Sequence, residues 1–121
     1  MLIAVVDDDP SVRTALDSLL RSMGVGVSLF ASAEDFLATV LATGTAPPDG
    51  LICDIDMPGM SGWDLLDTLQ QSGRAMPTIL ISAFAHPLTA RPLPDGVRFF
   101  RKPFDGGSLV AAVLEQVKTK H

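Results

Sequence analysis

Short apolar runs alternate with amphipathic stretches along the whole chain, and no other feature limits the possible folds so strongly. Leu2 to Val6 reads Leu-Ile-Ala-Val-Val and stops abruptly at charge, as a strand buried on both faces should. Ser11 to Met23 then sets Val12, Ala15, Leu16, Leu19 and Leu20 at helical spacing, with Gly24 as a stop signal. Val25 to Phe30 reads as a second strand. Ser32, followed by Glu34 and Asp35, opens a helix that runs through Phe36, Leu37, Val40 and Leu41. Thr43 to Gly50 holds two prolines and two glycines and reads as a loop. Leu51 to Asp54 is a third strand, Ser61 to Ser72 a third helix, and Pro77 to Ser82 a fourth strand. Val97 to Phe100 gives a short fifth strand and Gly107 to Lys118 a closing helix.

The regularity fails between the fourth and fifth strands, where Pro87, Pro92 and Pro94 crowd the expected helix. Proline inside a helix removes a donor and clashes with the preceding turn, at roughly 3 kcal/mol each. At most one short turn near Leu88 to Arg91 is expected there. Elsewhere the β-α-β alternation implies a doubly wound α/β domain, a parallel sheet with helices on both faces. With 121 residues the chain fits one domain, residues 1–121.

Composition excludes several functions. Nothing approaches the roughly 18 apolar residues of a membrane span, and Met1 to Val6 runs into acidic residues instead of a cleavage site, unlike a signal peptide. The single cysteine, Cys53, cannot form an internal disulfide and favours a reducing, cytoplasmic home. Nine basic against 14 acidic residues, with no Lys/Arg run, argue against gripping nucleic acid by its phosphates.

In doubly wound folds the functional groups gather at the carboxyl ends of the strands. Here strand one ends in Asp7, Asp8 and Asp9, strand three in Asp54 and strand four in Ser82, while Lys102 follows strand five. Carboxylates brought together repel one another and call for a cation. An all-oxygen set suits Mg²⁺ better than a soft transition metal. A lysine opposite supplies a point charge for a phosphoryl group, and a serine hydroxyl donates to one of its oxygens. Taken singly, a triple Asp is a solvated helix cap, Ser82 a satisfied strand-end hydroxyl and Lys102 a surface lysine. His86 and His121 lack a partner at metal-ligand spacing. Four strand ends converging on one chemistry point instead to phosphoryl transfer onto a carboxylate nucleophile.

Three segments then resemble the strongest signatures of the response-regulator receiver family. They are Val5-Val-Asp-Asp-Asp-Pro-Ser-Val-Arg13, Asp54-Ile-Asp-Met-Pro-Gly-Met-Ser-Gly62 and Arg101-Lys-Pro-Phe104. The resemblance covers essentially the whole chain. It implies a flavodoxin-like (βα)5 fold with strand order 2-1-3-4-5, from which the chain departs in the proline-broken helix before strand five, expected to be short or disordered. It implies that Asp54 takes a phosphoryl group from a sensor histidine kinase or phosphotransfer protein. Asp8 and Asp54 would bind Mg²⁺ directly, Asp7 partly through water, and Asp56 through its backbone carbonyl. Ser82 and Lys102 would hold the phosphoryl oxygens, and Phe99 matches the aromatic switch position. Pro58 and Gly62 match the loop residues after the acceptor, and Pro103 the proline after the lysine, where a cis bond would aim the ammonium inward.

The first thirty-seven residues look most like receivers that carry a C-terminal helix-turn-helix output domain. The chain is therefore expected to be a free-standing receiver or the receiver portion of a longer regulator, with catalysis limited to its own phosphorylation and dephosphorylation. Two rivals remain. Leu51-Ile-Cys-Asp-Ile-Asp56 resembles the nucleophile motif of haloacid-dehalogenase-type phosphatases, although the other acidic residues stand at the wrong end of the chain for that. A receiver-like module that binds partners without phosphorylation is the other.

Overall fold

The computed structural model describes residues 1–42, 44, 46–84 and 92–119. The elements run β1 (Leu2–Val6), α1 (Pro10–Ser22), β2 (Gly26–Phe30), α2 (Ala33–Val40), β3 (Gly50–Asp54), α3 (Gly62–Gln71), β4 (Thr78–Ser82), β5 (Val97–Arg101) and α4 (Gly106–Thr119). All sheet pairings are parallel, in the order β2-β1-β3-β4-β5. This is the flavodoxin-like order that the resemblance implies. The proposed short turn at Leu88 to Arg91 lies outside the described residues. Beyond it, residues 92–94 carry no helix, and a turn at Asp95 and Gly96 leads into β5.

The continuous apolar runs are explained by a core on each face of the sheet. Alternate residues of a strand point to opposite faces. Ala4, Val6, Leu51, Cys53 and Leu80 therefore pack with Phe36, Leu65 and Leu69 of α2 and α3. Ile3, Val5, Ile52, Ile79 and Ile81 pack on the other face with Leu16 and Leu20 of α1 and Leu109 and Val113 of α4. Strands β3 and β4 are buried throughout, whereas the edge strands β2 and β5 are half-exposed.

Local chemistry places the helix starts. The Asp9 side chain accepts from the Ser11 amide to cap α1, and Ser32 accepts from the Asp35 amide to cap α2. Ser61 and Asp64 form a reciprocal capping box at α3. Expected and observed boundaries differ by no more than one residue at either end. Gly50, read as the end of a loop, instead begins β3, because its amide-bearing backbone pairs with Ile3 of β1. A Cβ at Gly50 would lie 2.9 Å from Val117 of α4, so its bareness lets that helix close onto the sheet.

Candidate functional site

The sheet register fixes which residues share a rim. Val6 pairs with Cys53, Asp54 with Ile81, and Ser82 with Arg101. The next groups along, Asp7 and Lys102, therefore emerge beside Asp54 and Ser82 at the carboxyl ends of four adjacent strands. Asp7 and Ser82 are fully buried and Asp54 is only 4% exposed. Burying ionisable groups this deeply is costly unless they are paired.

They are paired by Lys102. Its ammonium lies 3.2 Å from Asp7 Oδ2 and 3.4 Å from Asp54 Oδ2, bridging the two carboxylates. Backbone amides hold the opposite oxygens: Asp9 N–H donates to Asp7 Oδ1 at 2.9 Å, and Asp56 N–H to Asp54 Oδ1 at 3.1 Å. Both carboxylates are thereby aimed at the same space. The Lys102 amide also donates to the Ser82 carbonyl at 2.7 Å, which extends the β4–β5 ladder to the site, and the Lys102–Pro103 bond is cis.

One cation does not balance this cluster. Burial, reinforced by the neighbouring Asp7 charge, pushes the Asp54 carboxyl up to about 6, although the Asp56 amide and Lys102 act in the other direction. Burial likewise raises Asp7 above the ordinary carboxylate range. Burial by itself lowers the Lys102 pKa, but Asp54 and Asp7 outweigh it and leave the ammonium harder to deprotonate than usual. Asp8 is exposed, and one oxygen each of Asp7, Asp8 and Asp54 lies within 4.8 Å of the others. Asp7 Oδ2 is buried, with the Lys102 ammonium 3.2 Å away as its charged neighbour. A hard divalent cation fits that donor set: it would relieve the repulsion among the three carboxylates with oxygen ligands alone.

Ser82 stands at the edge of the cluster. Its hydroxyl donates to Asp56 Oδ2, and its oxygen accepts from the Phe84 amide at 3.0 Å. Phe84 itself is 63% exposed. Phe99 pairs with Leu80 in the register, one step below the rim, and is half-buried against the α2/α3-side core. The loop after Asp54 is tightly folded, with Met57 N–H and Gly62 N–H both donating to the Ile55 carbonyl. A Cβ on Gly62 would lie 2.7 Å from the Asp54 carbonyl oxygen, so glycine is needed where α3 starts against the strand end.

The sequence-derived residues Asp7, Asp8, Asp54 and Lys102 are thus brought together, with Ser82 beside them. Three further contacts join the site beyond those expected from sequence. The Asp56 carboxylate takes the Ser82 hydroxyl. Arg13 donates to the Asp7 carbonyl at 2.6 Å across the first turns of α1. Glu34 of α2 accepts from the Met60 amide at 3.4 Å and steadies the loop after Asp54. For Arg13 a signal existed, since it follows the acidic run by one helical turn. For Glu34 none did.

The response regulator receiver domain model matches residues 3–114. Response regulator protein TmoT of Ectopseudomonas mendocina is 40% identical, over 97% of this chain and 53% of its own length. Response regulator protein TodT of Pseudomonas putida is 38% identical, over 97% of this chain and 51% of its own. The chain thus spans about half the length of these curated relatives. A response regulator receiver protein from Burkholderia phymatum superposes with a TM-score of 0.81 at 34% identity, covering 97% of this chain and 94% of its own.

Proposed function

The chain belongs to the response regulator receiver domain family, and from that premise we propose that Asp54 accepts a phosphoryl group from a histidine kinase or phosphotransfer protein in the cytoplasm. The observation that carries this is the Lys102 ammonium bridging the buried carboxylates of Asp7 and Asp54 at one strand-end rim. That arrangement leaves Asp54 beside a fixed positive charge, where a phosphoryl oxygen can settle.

Asp8 and Asp54 would hold Mg²⁺ directly, Asp7 partly through water and Asp56 through its backbone carbonyl; when bound, the ion supplies positive charge for the phosphoryl oxygens. The Asp54 carboxylate attacks phosphorus in line, forming an O–P bond as the P–N bond to the donor imidazole breaks. Lys102 then pairs with one phosphoryl oxygen and the Ser82 hydroxyl donates to another. The added charge, about −1.5 to −2, moves Ser82 toward Asp54. The vacated space lets Phe99 turn inward, and the change is read at the β4–β5 face. The chain spans about half the length of TmoT and TodT, which supports the receiver portion of a longer regulator over a free-standing receiver.

The test is mass spectrometry of the intact protein with Mg²⁺ and a small acyl-phosphate donor. Wild type gains one phosphoryl mass. Asp54→Asn and protein stripped of divalent cations do not. Undiminished labelling of Asp54→Asn would overturn the assignment, and absence of labelling in wild type would favour a module that binds partners without phosphorylation.

A further inference from the structure

Serine carries a single hydroxyl proton and can give it to only one acceptor at a time. In the structure that proton goes to Asp56 Oδ2 and not to the space above Asp54. The partner is a carboxylate, and a hydrogen bond to a charged acceptor is roughly twice as strong as a neutral one. The Phe84 amide, donating to Ser82 Oγ at 3.0 Å, pins the same oxygen from the other side. Ser82 is fully buried, whereas Asp56 is exposed on the acceptor loop. A surface carboxylate therefore holds a buried hydroxyl in its resting orientation.

We infer that Asp56 is a latch on Ser82, a positioning residue that sets how readily the site accepts and retains a phosphoryl group. The inference rests on the reading of Asp54 as the acceptor. The phosphoryl group on Asp54 and the carboxylate of Asp56 compete for the same proton, so the phosphorylated state forms fully only when Ser82 leaves Asp56. Asp56 is an exposed residue, so water can take the place of the Ser82 hydroxyl on its carboxylate and the exchange is reversible. A ligand shifts such an equilibrium only by its differential interaction with the two arrangements. Asp56 contributes that difference from the resting side.

Two readouts test the latch. The first uses unphosphorylated protein and the hydrogen exchange of the Phe84 amide, whose acceptor is the pinned oxygen. Asp56→Ala is expected to speed this exchange severalfold, Asp56→Asn less, because asparagine keeps an acceptor oxygen. An unchanged Phe84 exchange rate in Asp56→Ala overturns the latch. The second is a double-mutant cycle on the rate of phosphorylation by a small acyl-phosphate donor. Asp56→Ala should raise that rate about tenfold, the scale of one hydrogen bond to a charged group. In the Ser82→Ala background the same substitution should have little effect. A gain that persists undiminished there means Asp56 acts by charge alone, and the latch is wrong. If wild type takes up no phosphoryl group, the acceptor reading falls, while the Phe84 exchange still reports separately whether Asp56 holds the hydroxyl.

Discussion

At the scale of single residues, the site is a set of ionisable groups kept in unfavourable surroundings. In the unfolded chain the Asp54 carboxyl ionises near 3.8, whereas burial moves it to about 6 in the fold. Between those values the folded state keeps a proton that the unfolded chain has lost. Its contribution to stability is therefore present at low pH and is lost as pH rises through 6. In protein stripped of divalent cations, Asp54→Asn removes the titration, and it should gain on wild type by about 3 kcal/mol between about pH 4 and pH 7. Urea unfolding at both pH values measures this, and an equal gap at the two would refute burial as the cause. Phe84 makes a different prediction. Its ring is exposed two residues beyond the hydroxyl residue, where it would obstruct water approaching a phosphorylated Asp54. Phe84→Ala should shorten the phosphoryl lifetime severalfold, followed as loss of phosphoryl mass after the donor is removed; an unchanged or longer lifetime would count against that role.

At the scale of elements, the strand-end loops do the positioning. Gly62 allows α3 to begin against the Asp54 carbonyl, with Ile55 Cα only 2.9 Å from where a Cβ would sit. These neighbours are backbone atoms and cannot swing aside. Gly62→Ala should therefore cost about 1–3 kcal/mol, the usual scale of overpacking, and should slow phosphorylation by displacing the acceptor. Denaturant midpoints alongside labelling rates would check both. The same elements show what could be read in advance. The runs Leu2 to Val6, Leu51 to Asp54 and Pro77 to Ser82 announced buried strands because both of their faces are covered. Asp7, Asp54, Ser82 and Lys102 announced a site because a parallel sheet sends every strand end to one rim. The Asp56–Ser82 bond was hidden, since its partners are twenty-six residues apart and only the folded loop decides where Asp56 points. The Arg74 hydrogen bond to the Val40 carbonyl at the end of α2 was hidden for the same reason.

At the scale of the whole molecule, one sheet sits between two cores, and the acidic rim is supported by both. Leu65 and Leu109 are fully buried on opposite faces. Leu65→Ala and Leu109→Ala should each destabilise by about 2–5 kcal/mol, and each should do so in a single cooperative transition. Trp63, the lone tryptophan, packs on the α2/α3 side, so its emission against far-ultraviolet circular dichroism checks this. Two separate midpoints in the Leu109→Ala variant would mean the faces unfold independently. A practical consequence follows from Cys53, which is buried beside Asp54 and whose thiol burial pushes well above its ordinary range. Thiol-directed reagents need an accessible thiolate, so this chain comes with its native sulfur already silent. A cysteine introduced at an exposed position such as Asp95 would be the one reactive handle, and a maleimide dye should attach there in a one-to-one ratio. The site's motions could then be followed by fluorescence with Cys53, and the core it belongs to, left as they are.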